Sequence, residues 1–310
     1  MKYRCHWQDY NGTGTYLITI VTSQRKPLLG KLAGDETIPL GTEGAPSVIL
    51  SPLGNTILFS EIKKVTTIFP EADVWKTCIM PDHIHFIIRI KQRLKPGKNL
   101  GHIISGFKYG CTVTARKMGA IANNEPLFEP GYNDRILYQP NQITHWHQYL
   151  ADNARRLLIK RKNPNFFTVM RDLSLHGYNC QTIGNSFLLD IPNKVAVIVH
   201  RRYSATEIAQ LKHEWLKCGE CGGVLVSAAI SPKEKEIVRE AFDLGYRIIL
   251  LRENGFPPLY KPTGKNFDYC NQGLLLQISP WEHHASNQKI SREQCLALNA
   301  LAEAIASTGQ

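Results

Sequence analysis

Long apolar runs are missing from this sequence of 310 residues, although hydrophobic residues make up 43% of it. No stretch approaches the ~20 consecutive apolar residues that a membrane-spanning helix needs, and residues 1–10 contain no apolar signal core. We therefore expect a soluble, cytoplasmic protein without a membrane partner. The eight cysteines show no regular spacing, and a chain of this length can build its cores without disulfides. We interpret them as reduced thiols.

Phosphate-binding glycine motifs are also missing. The sequence has no Gly-x-Gly-x-x-Gly, and Gly264-Lys265 lacks the spacing of a phosphate loop, so we expect no dinucleotide cofactor. Lys261 and Lys265 could still contact a phosphate, but an ordinary surface turn is the commoner role of such a loop. Cys218 and Cys221 form a lone Cys-x-x-Cys without the second pair that zinc requires, and we interpret it as a thiol-containing turn.

Positive charge is concentrated in the first half of the chain. Residues 1–170 contain 22 Lys and Arg against 12 Asp and Glu, whereas residues 171–310 contain 15 against 14. A basic half beside a neutral half suggests that the first half meets a polyanion, most often nucleic acid. A solubilising surface would carry the same charge, so charge alone leaves both interpretations open.

The pattern of predicted elements changes along the chain. Hydrophobic spacing predicts strands over 16–22, 74–80 and 83–90, and helices over 55–69, 99–118 and 142–160. Later in the chain strands and helices alternate, which is typical of a parallel α/β sheet. We predict an α+β domain over 1–168, a linker over 169–185 and an α/β domain over 186–310.

The segment MPDHIHFIIRI, residues 80–90, contains the most informative motif. Residues two apart on a strand share a face, so His83 and His85 point to one side while Ile84 and Phe86 point to the core. Two neighbouring imidazoles pack poorly but provide half of a divalent metal site. An isolated His-x-His is usually incidental, and the alternating apolar residues around this pair strengthen the prediction.

The predicted helix 142–160 carries a second histidine pair and a candidate nucleophile. His145 and His147 would diverge by ~200° on a helix, so we exclude them as a metal pair. Tyr149 and Asn153 are four residues apart and share a face. A Tyr hydroxyl can attack a phosphodiester when a metal offsets the developing charge, and the Asn153 amide could complete the ligand set. A half-buried structural aromatic is the commoner role of such a tyrosine.

These motifs, in this order, resemble the HUH-type single-strand transposases, the tyrosine transposases of small insertion sequences and their REP-associated relatives. The resemblance runs along most of residues 10–165. Besides the histidine strand and the Tyr149-Leu150-Ala151-Asp152-Asn153 segment, it includes Gln24-Arg25-Lys26-Pro27, Gly106-Phe107-Lys108 and Asn133-Asp134-Arg135-Ile136. More weakly, residues 223–227, the following helix and residues 248–251 resemble the Rossmann-like core of DNA-processing protein A.

The resemblance implies a mechanism and a partner. His83 and His85 would bind the metal with Asn153 as a third ligand, and Tyr149 would be the nucleophile that joins the DNA 5′-phosphate. The implied fold is an antiparallel sheet with helices, a sandwich that recognises hairpins of single-stranded DNA, and the implied cofactor is Mg²⁺ or Mn²⁺. Relatives include swapped-helix dimers and monomers, so a homodimer is one expectation and the oligomeric state stays open.

Two further sets of residues bear on this hypothesis. Tyr109 is a rival nucleophile, but it lies only 24 residues after His85 and Val113 stands at the position where a ligand would be needed. We expect it to be a DNA contact or a structural residue. The candidate phosphate contacts are the basic residues of the two helices: Lys108, Arg116, Lys117, Arg155 and Arg156.

The sequence therefore favours a metal-dependent tyrosine transposase, a single-strand DNA endonuclease and strand transferase. The alternative is a hairpin-binding or regulatory protein derived from such a transposase that does not cleave DNA. A hydrolase or nucleotide-binding enzyme centred on residues 190–280 is a third class, for which no motif is present. The DNA target, a mobile or domesticated role and the task of the second domain stay open.

Overall fold

The computed structural model describes Cys5, residues 7–286 and residues 289–308. The chain divides into two compact units, Met1–Ile159 and Lys160–Gln310, here called unit 1 and unit 2. The fold is mixed α/β with several sheets, which is compatible with the predicted α+β class. Within the described ranges, none of the helices combines the length and the apolar composition that crossing a bilayer requires.

Unit 1 contains a four-stranded sheet and a separate two-stranded hairpin. Its strands are β1 (Gly14–Val21), β2 (Gly30–Ala33), β3 (Ser47–Leu50), β4 (Ala72–Met80), β5 (His83–Ile90) and β6 (Asn133–Ile136). The larger sheet has the order β4-β5-β1-β6, and every neighbouring pair is antiparallel. β2 pairs with β3 in the hairpin, although this part of the chain is rich in glycine and proline.

The helices of unit 1 cover the sheet. They are α1 (Pro52–Thr56), α2 (Ile62–Ile68), α3 (Leu100–Lys117), α4 (Pro140–Ala151) and α5 (Asn153–Lys162), the last of which crosses into unit 2. A π-helical turn, Ile57–Glu61, joins α1 to α2 where the sequence predicts one helix. α3 begins with a capping box in which Asn99 and His102 exchange side-chain and backbone hydrogen bonds, which satisfies its first N–H groups.

The main core of unit 1 lies between one face of the large sheet and the helices before and after it. Ile84, Phe86, Ile88 and Ile90 of β5 are all fully buried there. The Phe86 ring contacts the Phe107 ring of α3 edge to face, with centroids 5.5 Å apart. This face of the sheet is therefore closed by α3, and functional side chains must project from the other face.

Unit 2 contains a six-stranded sheet. Its strands are β7 (Met170–Leu175), β8 (Tyr178–Gly184), β9 (Lys194–Ala196), β10 (Val224–Ser227), β11 (Arg247–Leu251) and β12 (Leu275–Ser279). The order is β7-β8-β12-β11-β10-β9, in which β9 to β12 are parallel and β8 is antiparallel to β12. The helices are α6 (Ala205–Glu220), α7 (Pro232–Asp243), α8 (Lys265–Asn271) and α9 (Arg292–Ser307).

Residues 169–185, predicted as a linker, instead form strands of this sheet. β7 and β8 are an antiparallel pair that occupies one edge, and the buried residues Cys180 to Ile183 anchor β8 against β12. Apolar alternation did not predict the strand β8, because its only buried apolar side chains are those of Cys180 and Ile183, with the polar Gln181 and Thr182 between them. The parallel arrangement of β9 to β12 is what the strand–helix alternation predicts.

Candidate metal and tyrosine site

The second face of the large sheet in unit 1 carries the histidine pair. In β5 the side chains that alternate with the buried core residues are those of His83, His85, Ile87 and Arg89. Ile87 belongs to a small apolar cluster that also contains Leu17 of β1 and Leu150 of α4, here called the second core. Helix α4 therefore packs on the face from which the histidines project.

His83 is held by a carboxylate. Its Nδ1 donates a hydrogen bond of 2.7 Å to Asp82 Oδ1, and Arg25 Nη1 donates one of 3.1 Å to Asp82 Oδ2. Burial alone would raise the pKa of Asp82, but its hydrogen bonds and electrostatic interactions with His83 and Arg25 outweigh burial and lower that pKa to about 2. Asp82 is therefore ionised, which fixes the proton of His83 on Nδ1 and directs any metal ligation to Nε2.

His85 is held by a hydroxyl. Its Nδ1 is hydrogen-bonded to Thr19 Oγ1 at 2.8 Å, and Thr19 is its register partner on β1. The His83 and His85 rings lie edge to face with centroids 4.7 Å apart. Both rings are thus oriented through Nδ1 by a second side chain, which is the usual arrangement of metal-binding histidines. The donors fit a divalent cation bound through the Nε2 atoms.

Asn153 lies beside the histidine strand. Its side chain is buried, and Nδ2 lies 4.0 Å from Cys78 Sγ. Cys78 is the register partner of His85 on β4, so the amide is placed next to the strand position opposite that histidine. Burial raises the pKa of the Cys78 thiol. Among the described residues no group of three or more His, Cys, Asp or Glu is arranged to hold a metal, so a metal at this position would depend on the two imidazoles and the amide.

Tyr149 is half-buried on α4 at the edge of the second core. Its ring meets the Trp146 ring edge to face, with centroids 5.1 Å apart, and the Arg156 guanidinium lies 5.4 Å from the Tyr149 centroid. On the other side, the Arg135 guanidinium lies 4.9 Å from the Trp146 centroid. The contacts thus form a row in which two adjacent rings lie between two guanidinium groups, in the order Arg135, Trp146, Tyr149 and Arg156. The Tyr149 ring is therefore held by its contacts with Trp146 and Arg156.

The helix that carries Tyr149 and Asn153 is interrupted, which corrects the prediction of one helix over 142–160. α4 ends at Ala151, Asp152 forms a turn, and α5 begins at Asn153. Asp152 pairs with Arg155, whose Nη2 donates a hydrogen bond of 3.0 Å to Oδ2. Tyr149 and Asn153 therefore reach the same sheet face from two consecutive helices rather than from two positions of one.

Tyr109 lies on the other side of the sheet. It is 72% exposed on α3, the helix that closes the main core. The sheet therefore separates this hydroxyl from the face of His83 and His85. The structure brings the histidines, Asn153 and Tyr149 to one face and leaves Tyr109 on the other.

The predicted phosphate contacts have different surroundings. Lys108 Nζ donates hydrogen bonds of 2.6 and 2.7 Å to the carbonyl oxygens of Glu129 and Gly131, and burial lowers the pKa of this lysine. Arg116 donates to the carbonyl oxygen of Glu125 at 3.1 Å. Arg155 pairs with Asp152 and Arg156 is buried against Tyr149, whereas Lys117 is exposed. Contacts of these residues with DNA stay a prediction.

Sequence reasoning missed the side chains that orient the site. Asp82 was assigned no role, although its position directly before His83 is the signal that could have identified it. Thr19 could have been found only with the strand register, because it is 66 residues from His85. Arg135 and Trp146 were within noted motifs, but their contact depends on the packing of α4 on β6.

Comparisons with known proteins give weak similarity. No family model matches the chain. An uncharacterised protein of Haemophilus influenzae is 24% identical over 163 residues, which cover 47% of this chain and 82% of that protein. Among solved structures, a REP-associated tyrosine transposase bound to a REP hairpin is 17% identical with a TM-score of 0.33, covering 49% of this chain and 72% of that one.

Two other solved structures are similar to a comparable extent. DNA processing protein A of Helicobacter pylori, described with its single-stranded DNA binding mode, is 18% identical with a TM-score of 0.33 and covers 45% of this chain and 65% of that one. A candidate transposase from Deinococcus radiodurans is 11% identical with a TM-score of 0.28 and covers 49% and 97%. Any functional conclusion therefore has to come from the site itself.

Proposed function

We propose that unit 1 cleaves and rejoins single-stranded DNA at hairpin-bearing ends, with Tyr149 as nucleophile and a divalent metal as cofactor. The observation that carries the proposal is the shared sheet face. His83 and His85 project from it, α4 packs Tyr149 onto it, and Asn153 reaches it next to Cys78. These are the residue types that a metal-assisted attack on a phosphodiester needs.

His83, His85 and Asn153 would hold Mg²⁺ or Mn²⁺, which when bound would polarise the scissile phosphate and stabilise the charge that develops there. Asp82 and Thr19 keep the two imidazoles oriented through Nδ1, so that Nε2 would be the atom available to the metal. A hard cation is held weakly by two imidazoles and an amide, and we expect millimolar rather than micromolar concentrations to be needed.

The chemical step is a transesterification. The Tyr149 hydroxyl oxygen would form a bond to phosphorus while the bond from phosphorus to the 3′ oxygen breaks. The phenolic proton is lost to solvent and the departing 3′ oxygen takes one up, so that a free 3′-OH and a 5′-phosphotyrosine result. Because the phosphotyrosine conserves the phosphoester bond, a 3′-OH can attack it and rejoin a strand without another energy source.

The remaining parts of the proposal concern partners. The basic unit 1 would bind the DNA, with Lys108, Arg116, Lys117, Arg155 and Arg156 as candidate phosphate contacts. The α/β unit 2, a Rossmann-like domain in this proposal, would help to bind DNA or a partner protein. A homodimer in which one copy supplies Tyr149 to the other is one form of the active species.

The test is covalent capture of end-labelled hairpin DNA, with Mg²⁺, with Mn²⁺ or with chelator, on a denaturing protein gel. The wild type should give a labelled band that depends on metal. Tyr149→Phe and His83→Ala should lose it. Tyr109→Phe is the matched control, because it removes a hydroxyl from the opposite side of the sheet, and it should retain the band.

The outcomes distinguish a tyrosine transposase from a hairpin-binding protein that does not cleave DNA. Capture by Tyr149→Phe would overturn the assignment of the nucleophile. A gel shift with equal affinity for the wild type and Tyr149→Phe, without capture by either, would instead establish a hairpin-binding protein that does not cleave.

A further inference from the structure

Trp7 and Tyr138 form an exposed aromatic pair in unit 1. Their rings are stacked, with centroids 5.6 Å apart and planes 25° apart, yet the residues are 63% and 57% exposed. Large aromatic side chains that pack on each other and still face water leave apolar ring surface uncovered. Exposed apolar ring surface of this kind is available to a ligand.

The pair is fixed to the start of the helix that carries Tyr149. Tyr138 precedes the N-cap of α4, and its backbone N–H donates a hydrogen bond of 2.9 Å to Gln142 Oε1 within that helix. The preceding residue, Leu137, is buried in the second core. Tyr138 is therefore held between two anchors. At 1.5 Å per residue, the start of α4 lies roughly 14 Å from Tyr149 along the helix.

Positive charge lies against the helix that leads from Tyr138 to the candidate nucleophile. Arg135 is exposed on β6 and its guanidinium lies 4.9 Å from the Trp146 ring centroid, while Trp146 in turn contacts Tyr149. Aromatic faces beside a guanidinium are the combination that binds single-stranded nucleic acid, because rings stack on bases and cations attract phosphates. A protein partner would not need the positive charge, and a duplex would not offer an open base face.

We propose that Trp7 and Tyr138 are a stacking platform for one unpaired base of a DNA strand whose backbone passes Arg135. The base continues the stack of the two rings, and the strand then runs along α4 toward Tyr149. The identity of the strand as the one that is cleaved rests on the proposed function. The stacking itself does not, because it requires only that unit 1 binds single-stranded DNA.

The test measures the affinity of the full-length protein for an oligonucleotide hairpin with a single-stranded tail, by fluorescence anisotropy. Trp7→Ala and Tyr138→Ala should each weaken binding by roughly 5- to 150-fold, the range of one lost base stack. Trp75→Ala is the matched control, since Trp75 is 45% exposed on the edge strand β4, and it should stay within about twofold. Circular dichroism and melting curves verify that each variant is folded.

Two further measurements separate stacking from charge. The dependence of affinity on salt should have the same slope in Trp7→Ala as in the wild type, whereas Arg135→Gln should reduce the slope by about one. An abasic nucleotide scanned through the tail should reproduce the loss at one position, and at that position it should cause no additional loss in Trp7→Ala.

Failure of this proposal differs from failure of the cleavage proposal. If Trp7→Ala and Tyr138→Ala bind like Trp75→Ala, or if the abasic loss adds fully to that of Trp7→Ala, the platform is refuted even where the wild type captures DNA. If the abasic nucleotide causes no additional loss in Trp7→Ala, but neither the wild type nor any variant captures labelled DNA, the platform stands and the nucleophile assignment falls. If the wild type binds no single-stranded DNA, both proposals fail.

Discussion

Replacing Asp82 by Asn should weaken unit 1 in a manner that depends on pH. The amide group that Asp82→Asn introduces keeps the size of the carboxyl group but removes the charge that faces His83 and Arg25. The pKa of Asp82 is about 2, whereas an unpaired aspartate titrates near ~3.9. If that whole difference contributed to folding, it would be worth about 2.6 kcal/mol at neutral pH.

The observed effect should be smaller. The Asp82 side chain retains 18% exposure and Arg25 is 68% exposed, so water screens much of the attraction. We expect a loss of roughly 1 kcal/mol in the free energy of unfolding at pH 5, which corresponds to a decrease of about 2–4 °C in melting temperature. Because the folded pKa is depressed, the stabilisation is present above ~3.9 and is lost as the pH falls toward 2. About half should be gone near pH 3.

Urea denaturation of the wild type and Asp82→Asn in chelator, at pH 7, 5, 4 and 3, measures this difference without a contribution from bound metal. Equal stabilities at pH 5, or a difference that stays constant down to pH 3, would refute the electrostatic account of Asp82. With Mn²⁺ added, the same variant should also bind the ion about 10- to 100-fold more weakly, because the His83 ring is no longer oriented by a carboxylate.

Three further substitutions, the first of them with a matched control, test packing and hydrogen bonding. Phe86→Ala should cost about 3–5 kcal/mol in urea denaturation, because Phe86 is fully buried in the main core, whereas Ile49→Ala, at a 64% exposed side chain, should cost less than about 0.5 kcal/mol. Lys108→Met should cost about 1–2 kcal/mol through two lost hydrogen bonds and, because Lys108 is a proposed phosphate contact, reduce the slope of the salt dependence of DNA binding by about one; an unchanged slope would show that this lysine has a structural role only. Glu234→Gln should cost about 2–3 kcal/mol, measured by the same denaturation, because its two oxygens accept three backbone N–H groups in a buried position.

The histidine strand was predictable because its alternation is complete. Every second residue from Ile84 to Ile90 is apolar, and β5 covers the predicted residues 83–90 without a shift. The strand β6 was missed, because Asn133-Asp134-Arg135-Ile136 has almost no apolar side chains and forms a strand through pairing with β1. When a segment forms a strand because of its pairing with a neighbouring strand, its local sequence does not reveal the strand.

The site was predictable as a set of residues but not as a geometry. The motif order suggested His83, His85, Tyr149 and Asn153 together. That α4 packs on the histidine face depends on the second core, in which Leu17 and Leu150 are 133 residues apart in the chain. The break between α4 and α5 at Asp152 could not be predicted either, because the helical spacing of apolar residues continues across it and the sequence there contains neither Gly nor Pro.

In unit 2, backbone N–H groups at the carboxyl ends of β9 and β10 are hydrogen-bonded to a side chain of the same unit. In a parallel α/β sheet, phosphates are bound where the strands end and the helices begin, by backbone N–H groups. Here Glu234, buried in the first turn of α7, accepts hydrogen bonds from the N–H groups of Val199, Ile230 and Ser231, which follow β9 and β10. An acidic side chain at this position repels a phosphate and already satisfies the donors that would hold one. These backbone donors after β9 and β10 therefore contribute to folding stability rather than to phosphate binding.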